Sequence, residues 1–235
     1  MSYFICGYHT VLECYNFKIR RVKKIFIEKN SKIKHNFKPE LVNFVDKKFF
    51  TKKFSQLGIA HQNIAAEIEP MKKLNLLNEL ENNKIIKTVC LNGITDPRNI
   101  GSIIRTSVAF GYESMIINKR EFDETNIPMN KVATGGIDMM KIFTFSNIKH
   151  GIKILKDFNF QVISLSEKSS DNISNIKVKD NHLLILGSEE SGIQRTVLEL
   201  SDLKLKIEIN KSIGSLNVSN ACSAAMAVLN YKQIT

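Results

Sequence analysis

Three short stretches of the chain gather polar, small and charged residues where an apolar run has just ended. The first is Asp96-Pro97-Arg98-Asn99-Ile100-Gly101, continuing to Arg105, and the second is Leu186-Gly187-Ser188-Glu189-Glu190-Ser191-Gly192. The third runs Lys211-Ser212-Ile213-Gly214-Ser215-Leu216-Asn217-Val218-Ser219-Asn220. Ser and Asn side chains bond the local backbone, and the first N–H groups of a helix have no partner within it. The third stretch can therefore aim hydroxyls, amides and free N–H groups at one ligand. Taken alone it is equally an ordinary helix start capped by Ser215 or Asn217. In the first stretch Asn99 is placed to cap a helix, and Arg105, six residues on, falls roughly 240° around it. The two cannot share a face, so they meet only around something bound between them. The second stretch has Ile193-Gln194 where a phosphate loop needs Lys and Ser/Thr, and the chain contains no GxGxxG. Its paired carboxylates disfavour a polyphosphate and suit a cationic ligand.

In order and spacing the three stretches resemble the three motifs of the SpoU-type (TrmH-like) RNA 2′-O-ribose methyltransferases of the SPOUT superfamily. The resemblance implies that S-adenosylmethionine (SAM) is the cofactor, held by Leu186, Gly187, Ile207, Leu216 and Asn217. It implies a catalytic set of Arg105, Asn99, Glu189, Ser215 and Asn217, with no metal. The reaction implied is methyl transfer to a ribose 2′-hydroxyl in structured RNA, ribosomal before transfer RNA, with a guanosine of 23S ribosomal RNA as the expected target. A transfer RNA target and a non-catalytic RNA-binding protein on the same fold are the alternatives. Two residues depart from the family pattern: Glu190 replaces a glycine, and Glu208 stands where many relatives have proline.

These residues must be positioned by strands and helices, and the pattern from residue 85 onward supplies them. Strands are expected at 85–91, 114–117, 141–145, 160–165, 182–186 and 203–209, and helices at 99–110, 147–158, 192–200 and 215–231, with loops around 120–128 and 169–179. Strands separated by single helices imply a mainly parallel sheet, whose ligands collect at the carboxyl ends of the strands, where all three stretches fall. The first 70 residues read as a small mixed unit, with a helix at 10–18, a strand at 25–27 and a helical rhythm over 41–54. The phrases Gly7-Tyr8-His9-Thr10-Val11-Leu12-Glu13 and His61-Gln62-Asn63-Ile64-Ala65-Ala66 look like those bracketing the RNA-substrate domain of the same family. Residues 71–84 form a bridging helix or ordered linker. The resemblance thus implies an α/β fold: a SPOUT-type mainly parallel sheet with a deep carboxyl-terminal trefoil knot over 85–235, plus a small amino-terminal α/β domain of ribosomal-protein-like fold over 1–70. A homodimer through the knotted domain is expected, with the small residues Ala224, Ala225 and Ala227 suited to close packing.

Composition agrees with an RNA partner. Net charge is +11, but residues 1–84 hold 16 Lys+Arg against 8 Asp+Glu, and 85–235 hold 18 against 15. Within 18–53 alone the count is 13 against 3, the footprint of a phosphate backbone or simply a solvated basic face. No apolar run is long enough for a membrane span and no secretory signal is visible at the start, so a cytoplasmic protein is expected. The four cysteines lack metal-ligand or disulfide spacing, and Cys90 and Cys222 read as core residues.

Overall fold

The structure, a computed structural model, describes residues 2–82, 85–210 and 212–234, with side chains as far as 231. Lys211, which opens the third stretch, and Asn83 and Lys84, which close the expected linker, lie outside the described residues.

The amino-terminal unit runs β1 (Tyr3–Cys6), α1 (Tyr8–Phe17), β2 (Val22–Glu28), a 3-10 turn (Pro39–Leu41), β3 (Val42–Val45), α2 (Lys47–Phe54) and β4 (Ile64–Ile68). Its sheet has the order β1-β4-β2-β3, with β4 antiparallel to both neighbours and β2 parallel to β3. Strand alternation divides its apolar residues between two faces. Ile5, Ile25, Ile27, Ile64, Ala66 and Ile68 pack with Val11 and Cys14 of α1, whereas Cys6 and Ala65 pack with Phe50 and Phe54 of α2. The two helices therefore cover opposite faces. The helical rhythm expected over 41–54 holds only from Lys47: Val42-Asn43-Phe44-Val45 pairs with Ile25 to Glu28 as a strand, because the edge of β2 offers its backbone a ladder.

The rest of the chain gives α3 (Leu76–Glu81), β5 (Lys87–Asn92), α4 (Pro97–Ala109), β6 (Ser114–Asn118), α5 (Ile127–Ala133), β7 (Lys141–Phe145), α6 (Ile148–Asp157) and β8 (Gln161–Leu165). It continues with β9 (Asp171–Asn172), β10 (His182–Gly187), α7 (Arg195–Leu198), β11 (Leu203–Lys206) and α8 (Val218–Ile234). Seven strands form a sheet of order β7-β6-β5-β10-β8-β11-β9, and every pair in it is parallel. The central strands β6, β5, β10 and β8, buried on both sides, are largely apolar runs, whereas β11 alternates Leu with Lys and the two-residue β9 is polar. Val89, Leu91, Leu184 and Leu186 face α4, α5 and α8; Cys90, Leu183 and Ile185 face α3, α6 and α7. Leu76 and Leu80 of α3 are thus part of the second layer's core. Among the described residues no helix is long and apolar enough to cross a membrane. All four cysteines are buried and free, and burial pushes the Cys6 thiol up to about 11 and those of Cys14 and Cys222 to about 12, which leaves them inert.

The two sheets are joined by a buried polar network as well as by chain. Arg20, fully buried just before β2, donates through Nε to Asp138 Oδ1 at 2.8 Å and through its second terminal nitrogen to Asp138 Oδ2. Its first terminal nitrogen reaches Asn130 Oδ1 at 2.7 Å and the Tyr3 hydroxyl at 3.1 Å. Tyr3 in turn donates to Glu124 Oε2 at 3.0 Å, which also accepts the Met71 N–H at 2.7 Å. Asp138 lies in a 3-10 turn (Gly136–Asp138) whose Gly136 packs against Ile104 and the backbone of Arg105 on α4.

Candidate active site

Each of the three stretches begins at the carboxyl end of a strand or just beyond it. After β5, Asp96 rather than Asn99 caps α4, its side chain accepting from the Arg98 N–H with Pro97 at the first helical position, the residue with no N–H to satisfy. Asn99 consequently sits in the first turn with its amide free to reach outward. After β10 the chain doubles back: Gly192 N–H donates to the Ser188 carbonyl at 2.9 Å, and the Ser188 and Ser191 hydroxyls pair at 2.7 Å. A Cβ on Gly187 would stand 2.3 Å from Gly192 and 2.4 Å from Ile193, so only glycine permits this reversal. Gly192 takes the left-handed conformation at φ 66°, whereas Glu190 does not have positive φ. The departure from the family's glycine therefore costs the loop no strain. The same reversal shortens the helix expected over 192–200 to Arg195–Leu198.

The third stretch is longer than expected before its helix begins. β11 ends at Lys206, so Ile207 and Ile209 lie past the strand, and α8 starts at Val218 with Asn217 as its cap. The Asn217 side chain accepts from the Ser219 N–H at 3.0 Å and from its hydroxyl at 2.6 Å. Glu208, beyond the strand, pairs with Lys206 at 3.6 Å and takes no part in the sheet.

Glu189 ties the three turns together. Its Oε1 accepts from Asn99 Nδ2 at 3.3 Å, from Asn217 Nδ2 at 2.7 Å and from the Val218 N–H at 3.2 Å, and Asn217 Nδ2 also donates to Asn99 Oδ1 at 3.1 Å. Beside this knot of bonds is a cavity of about 270 Å3, lined by Leu186, Gly187, Ile207, Ser215 and Leu216. Sequence reasoning missed the loop after β8, where Leu165, Ser166, Glu167 and Lys168 form the facing wall. The signal was present, since a polar run follows an apolar strand there as it does at the other turns. Arg105 is not part of the bonded set. It is exposed on α4, six residues or roughly 9 Å along the helix from Asn99, with no hydrogen bond or ion pair among the described residues. Nor do the described residues contain a cluster of side chains suited to a metal ion.

A parallel sheet whose turns after β8, β10 and β11 line one small cavity, with the first turn of α4 tied to its edge through Asn99 and Glu189, is an α/β protein with a pocket at the carboxyl edge of its strands. The particular branch is given by comparison: residues 87–227 match the SpoU rRNA Methylase family, and the chain belongs to it. The chain is 31% identical over 232 residues to the 23S rRNA (guanosine-2'-O-)-methyltransferase RlmB of Blochmanniella floridana, covering 94% of this chain and 91% of that one. Its fold overlays that of the SpoU methyltransferase AviRb from Streptomyces viridochromogenes with TM-score 0.83 at 18% identity, over 99% of this chain and 90% of the other. An AdoMet-bound rRNA methyltransferase from Sinorhizobium meliloti overlays with TM-score 0.80 at 17% identity, over 100% and 88%.

Proposed function

We propose that the protein transfers a methyl group from SAM to the ribose 2′-hydroxyl of a guanosine in 23S ribosomal RNA. The observation that carries the reading is Glu189 drawing together Asn99, 90 residues before it, and Asn217, 28 residues after it, beside one cavity. The donor set fits SAM. Leu165, Leu186, Ile207 and Leu216 give apolar walls for a flat purine, the Gly187 backbone allows close approach, and Glu167, Glu189 and Glu190 place three carboxylates for a sulfonium and an ammonium group. Leu186, Gly187, Ile207, Leu216 and Asn217 would hold it. When bound, SAM supplies an electrophilic methyl group on a sulfonium that leaves as a neutral thioether.

The chain's own contribution is positional, because the acceptor oxygen must approach that methyl nearly in line. Ser215 furnishes a hydroxyl in the cavity wall, and Glu189, which also lines it, holds the amides of Asn99 and Asn217 beside it, its Oε1 already engaged by three donors. Arg105 orients the ribose hydroxyl and its neighbouring phosphate. Guanidinium, with a pKa above about 12, is a poor acceptor for the departing proton, so the role given to Arg105 is orientation.

The family resemblance and the Blochmanniella relative's match along 94% of the chain support 23S ribosomal RNA over transfer RNA. The same support extends to the finer architecture: 1–70 as the RNA-substrate domain, 71–84 as the linker and 85–235 as the methyltransferase domain. Its carboxyl end is tucked into a deep trefoil knot, a rare topology. Insertion of β10 between β5 and β8, and the walls given to one cavity by the turns after β10 and β11, favour the knot. We further take the enzyme to be a cytoplasmic homodimer. Ala225 is buried in its own chain's core and is not available to a partner, so Ala227 and Tyr231, exposed on α8, are the residues that would face it.

Calorimetric titration with SAM, followed by transfer of labelled methyl to 23S ribosomal RNA, tests the reading. Wild-type protein should bind SAM and label one 2′-oxygen; Arg105→Ala should bind SAM equally and label poorly. Absence of SAM binding by the folded protein refutes it, and labelling of transfer RNA alone moves the substrate.

A further inference from the structure

A second cavity, of about 740 Å3, lies in the amino-terminal unit, away from the three motif turns. Its walls come from the carboxyl end of α1, the segment leading into β2, the 3-10 turn at Pro39–Leu41 and the chain at 69–72. Four exposed cations line it: Lys18, Arg21, Lys38 and Lys72. Against them stands one carboxylate, Glu69, already shared between Arg21 at 3.7 Å and Lys23 at 3.8 Å. Arg20 also borders the cavity, but Asp138 cancels its charge, so the lining carries four positive charges against one negative, or +3.

We propose that this cleft is where the amino-terminal unit grips the phosphate backbone of its RNA. The inference rests on the proposed RNA methyltransferase function and assigns it a docking surface. Four like charges that share a single carboxylate repel one another and weaken a fold, so their concentration in a concavity points to an anion that relieves them. Lys23, held beside Glu69, continues the positive rim beyond the cleft, which suits a strand with successive phosphates better than a single one. Tyr15, set edge-on to Phe37 at 5.1 Å, and Leu41 supply apolar wall beside the charges, as a ribose or base requires. Asp138 clamps the Arg20 floor to the segment packed on Arg105, so a strand seated here is held in fixed relation to α4.

The basic stretch of residues 18–53 offers a second face that makes the proposal testable. Lys47, Lys48, Lys52 and Lys53 lie on α2, which covers the opposite face of the sheet from α1, and Lys53 is occupied over the Phe4 ring at 3.9 Å. A diffuse electrostatic attraction would use both faces alike; a docking cleft uses one.

The experiment measures binding of a 23S ribosomal RNA transcript across a salt series by two variants of equal charge change, Arg21→Glu/Lys38→Glu/Lys72→Glu and Lys47→Glu/Lys48→Glu/Lys52→Glu. The cleft variant should lose on the order of 100-fold or more in affinity, and its salt slope should fall by about 2 to 3 through loss of three phosphate contacts. The α2 variant should lose under about fivefold, and SAM affinity should stay within about twofold in both. Equal losses from the two variants, an unaffected cleft variant, or wild-type protein that binds no RNA would each overturn the proposal. Failure of the methyltransferase reading shows separately, as wild-type protein that binds RNA through the cleft but neither binds SAM nor labels RNA.

Discussion

Replacing Arg20 by Met should be far more damaging than replacing Arg20 and Asp138 together. Both side chains of the pair have 0% exposure, so the single variant strands a carboxylate in the interior after removing its Nε partner at 2.8 Å and the second terminal nitrogen. Breaking a buried pair in this way costs about 3 to 5 kcal/mol, roughly a fifth or more of the stability of an ordinary domain. For a chain of this size it lowers the melting temperature by roughly 6 to 20 °C. The double variant Arg20→Met/Asp138→Leu buries two apolar side chains of similar volume and leaves no charge behind. Tyr3 keeps its bond to Glu124 at 3.0 Å, and Asn130 keeps its donations to the Glu124 and Asn126 carbonyls, both at 2.8 Å. The Asn130 Oδ1 acceptor loses its Arg20 donor and the Tyr3 hydroxyl oxygen loses one too, together about 1 to 2 kcal/mol. The double variant should therefore unfold in urea within about 2 kcal/mol of wild type, giving a coupling energy of roughly 3 kcal/mol or more across the cycle. Additive losses would refute the reasoning, because they would mean that Arg20 acts by filling space and not by answering Asp138.

Three other substitutions probe the site and the core. Gly187→Ala places a Cβ at 2.3 Å from Gly192, so the loop must open; SAM binding by calorimetry should fall by at least tenfold, and unchanged affinity would contradict the close approach described. Glu189→Ala removes the acceptor shared by Asn99, Asn217 and the Val218 N–H, and loss of bonds to a charged group, at about 1.5 to 3 kcal/mol, should lower single-turnover methylation by roughly ten- to a hundredfold. His182 is buried, with Nε2 at 2.7 Å from the Tyr112 hydroxyl and Nδ1 at 2.9 Å from the Lys179 carbonyl, and burial pulls its pKa below 6.5. Since the unfolded chain then takes up the proton more readily than the folded one, the His182 contribution is intact above pH 6.5 and is lost as pH falls from there through the lowered folded value. Melting temperature should drop over that window in wild type and flatten in His182→Gln; a profile identical in both would exclude His182 as the source.

The sheet and the three turns could be read from the chain because both depend on local pattern. Runs such as Thr88-Val89-Cys90-Leu91 and Leu183-Leu184-Ile185-Leu186 announce strands buried on both faces, and the turn residues follow each directly. Where the reading went astray, a nearby signal was overruled or was too short to register. Val42 to Val45 merges into the lysine-rich helix after it, and its strand character comes from a partner in β2. Asp96-Pro97 carried the true cap signature of α4, one turn before Asn99. α5, at seven residues, starts inside the loop expected around 120–128 and runs on through a stretch for which no element is expected, although Asn126 caps it and Pro128 lies in its first turn. Arg20 is the extreme case. In the sequence it is one of 13 cations in a basic run, yet it is the one driven into the interior by an aspartate 118 residues away, and no local pattern contains that pairing.

The charge of the molecule is divided in a way that bears on the role proposed for Arg105. The cavity beside Glu189 is lined by Glu167, Glu189 and Glu190 against Lys168, a balance of −2, whereas the amino-terminal cleft balances at +3. A negative rim attracts a sulfonium donor but repels the phosphates on either side of the ribose to be methylated. For an RNA strand to bring its 2′-hydroxyl to that rim, a cation must meet the adjoining phosphate close by. Along α4, whose first turn holds Asn99 against Glu189, the cations are Arg98 and Arg105, both exposed and neither with an ion pair to give up among the described residues, and the family resemblance assigns the role to Arg105. Lysine there would keep the charge but lose the planar fork that fixes a phosphate and a hydroxyl together. Arg105→Lys should accordingly retain RNA affinity within about threefold while labelling at least tenfold more slowly, and full activity in that variant would reduce Arg105 to a point charge.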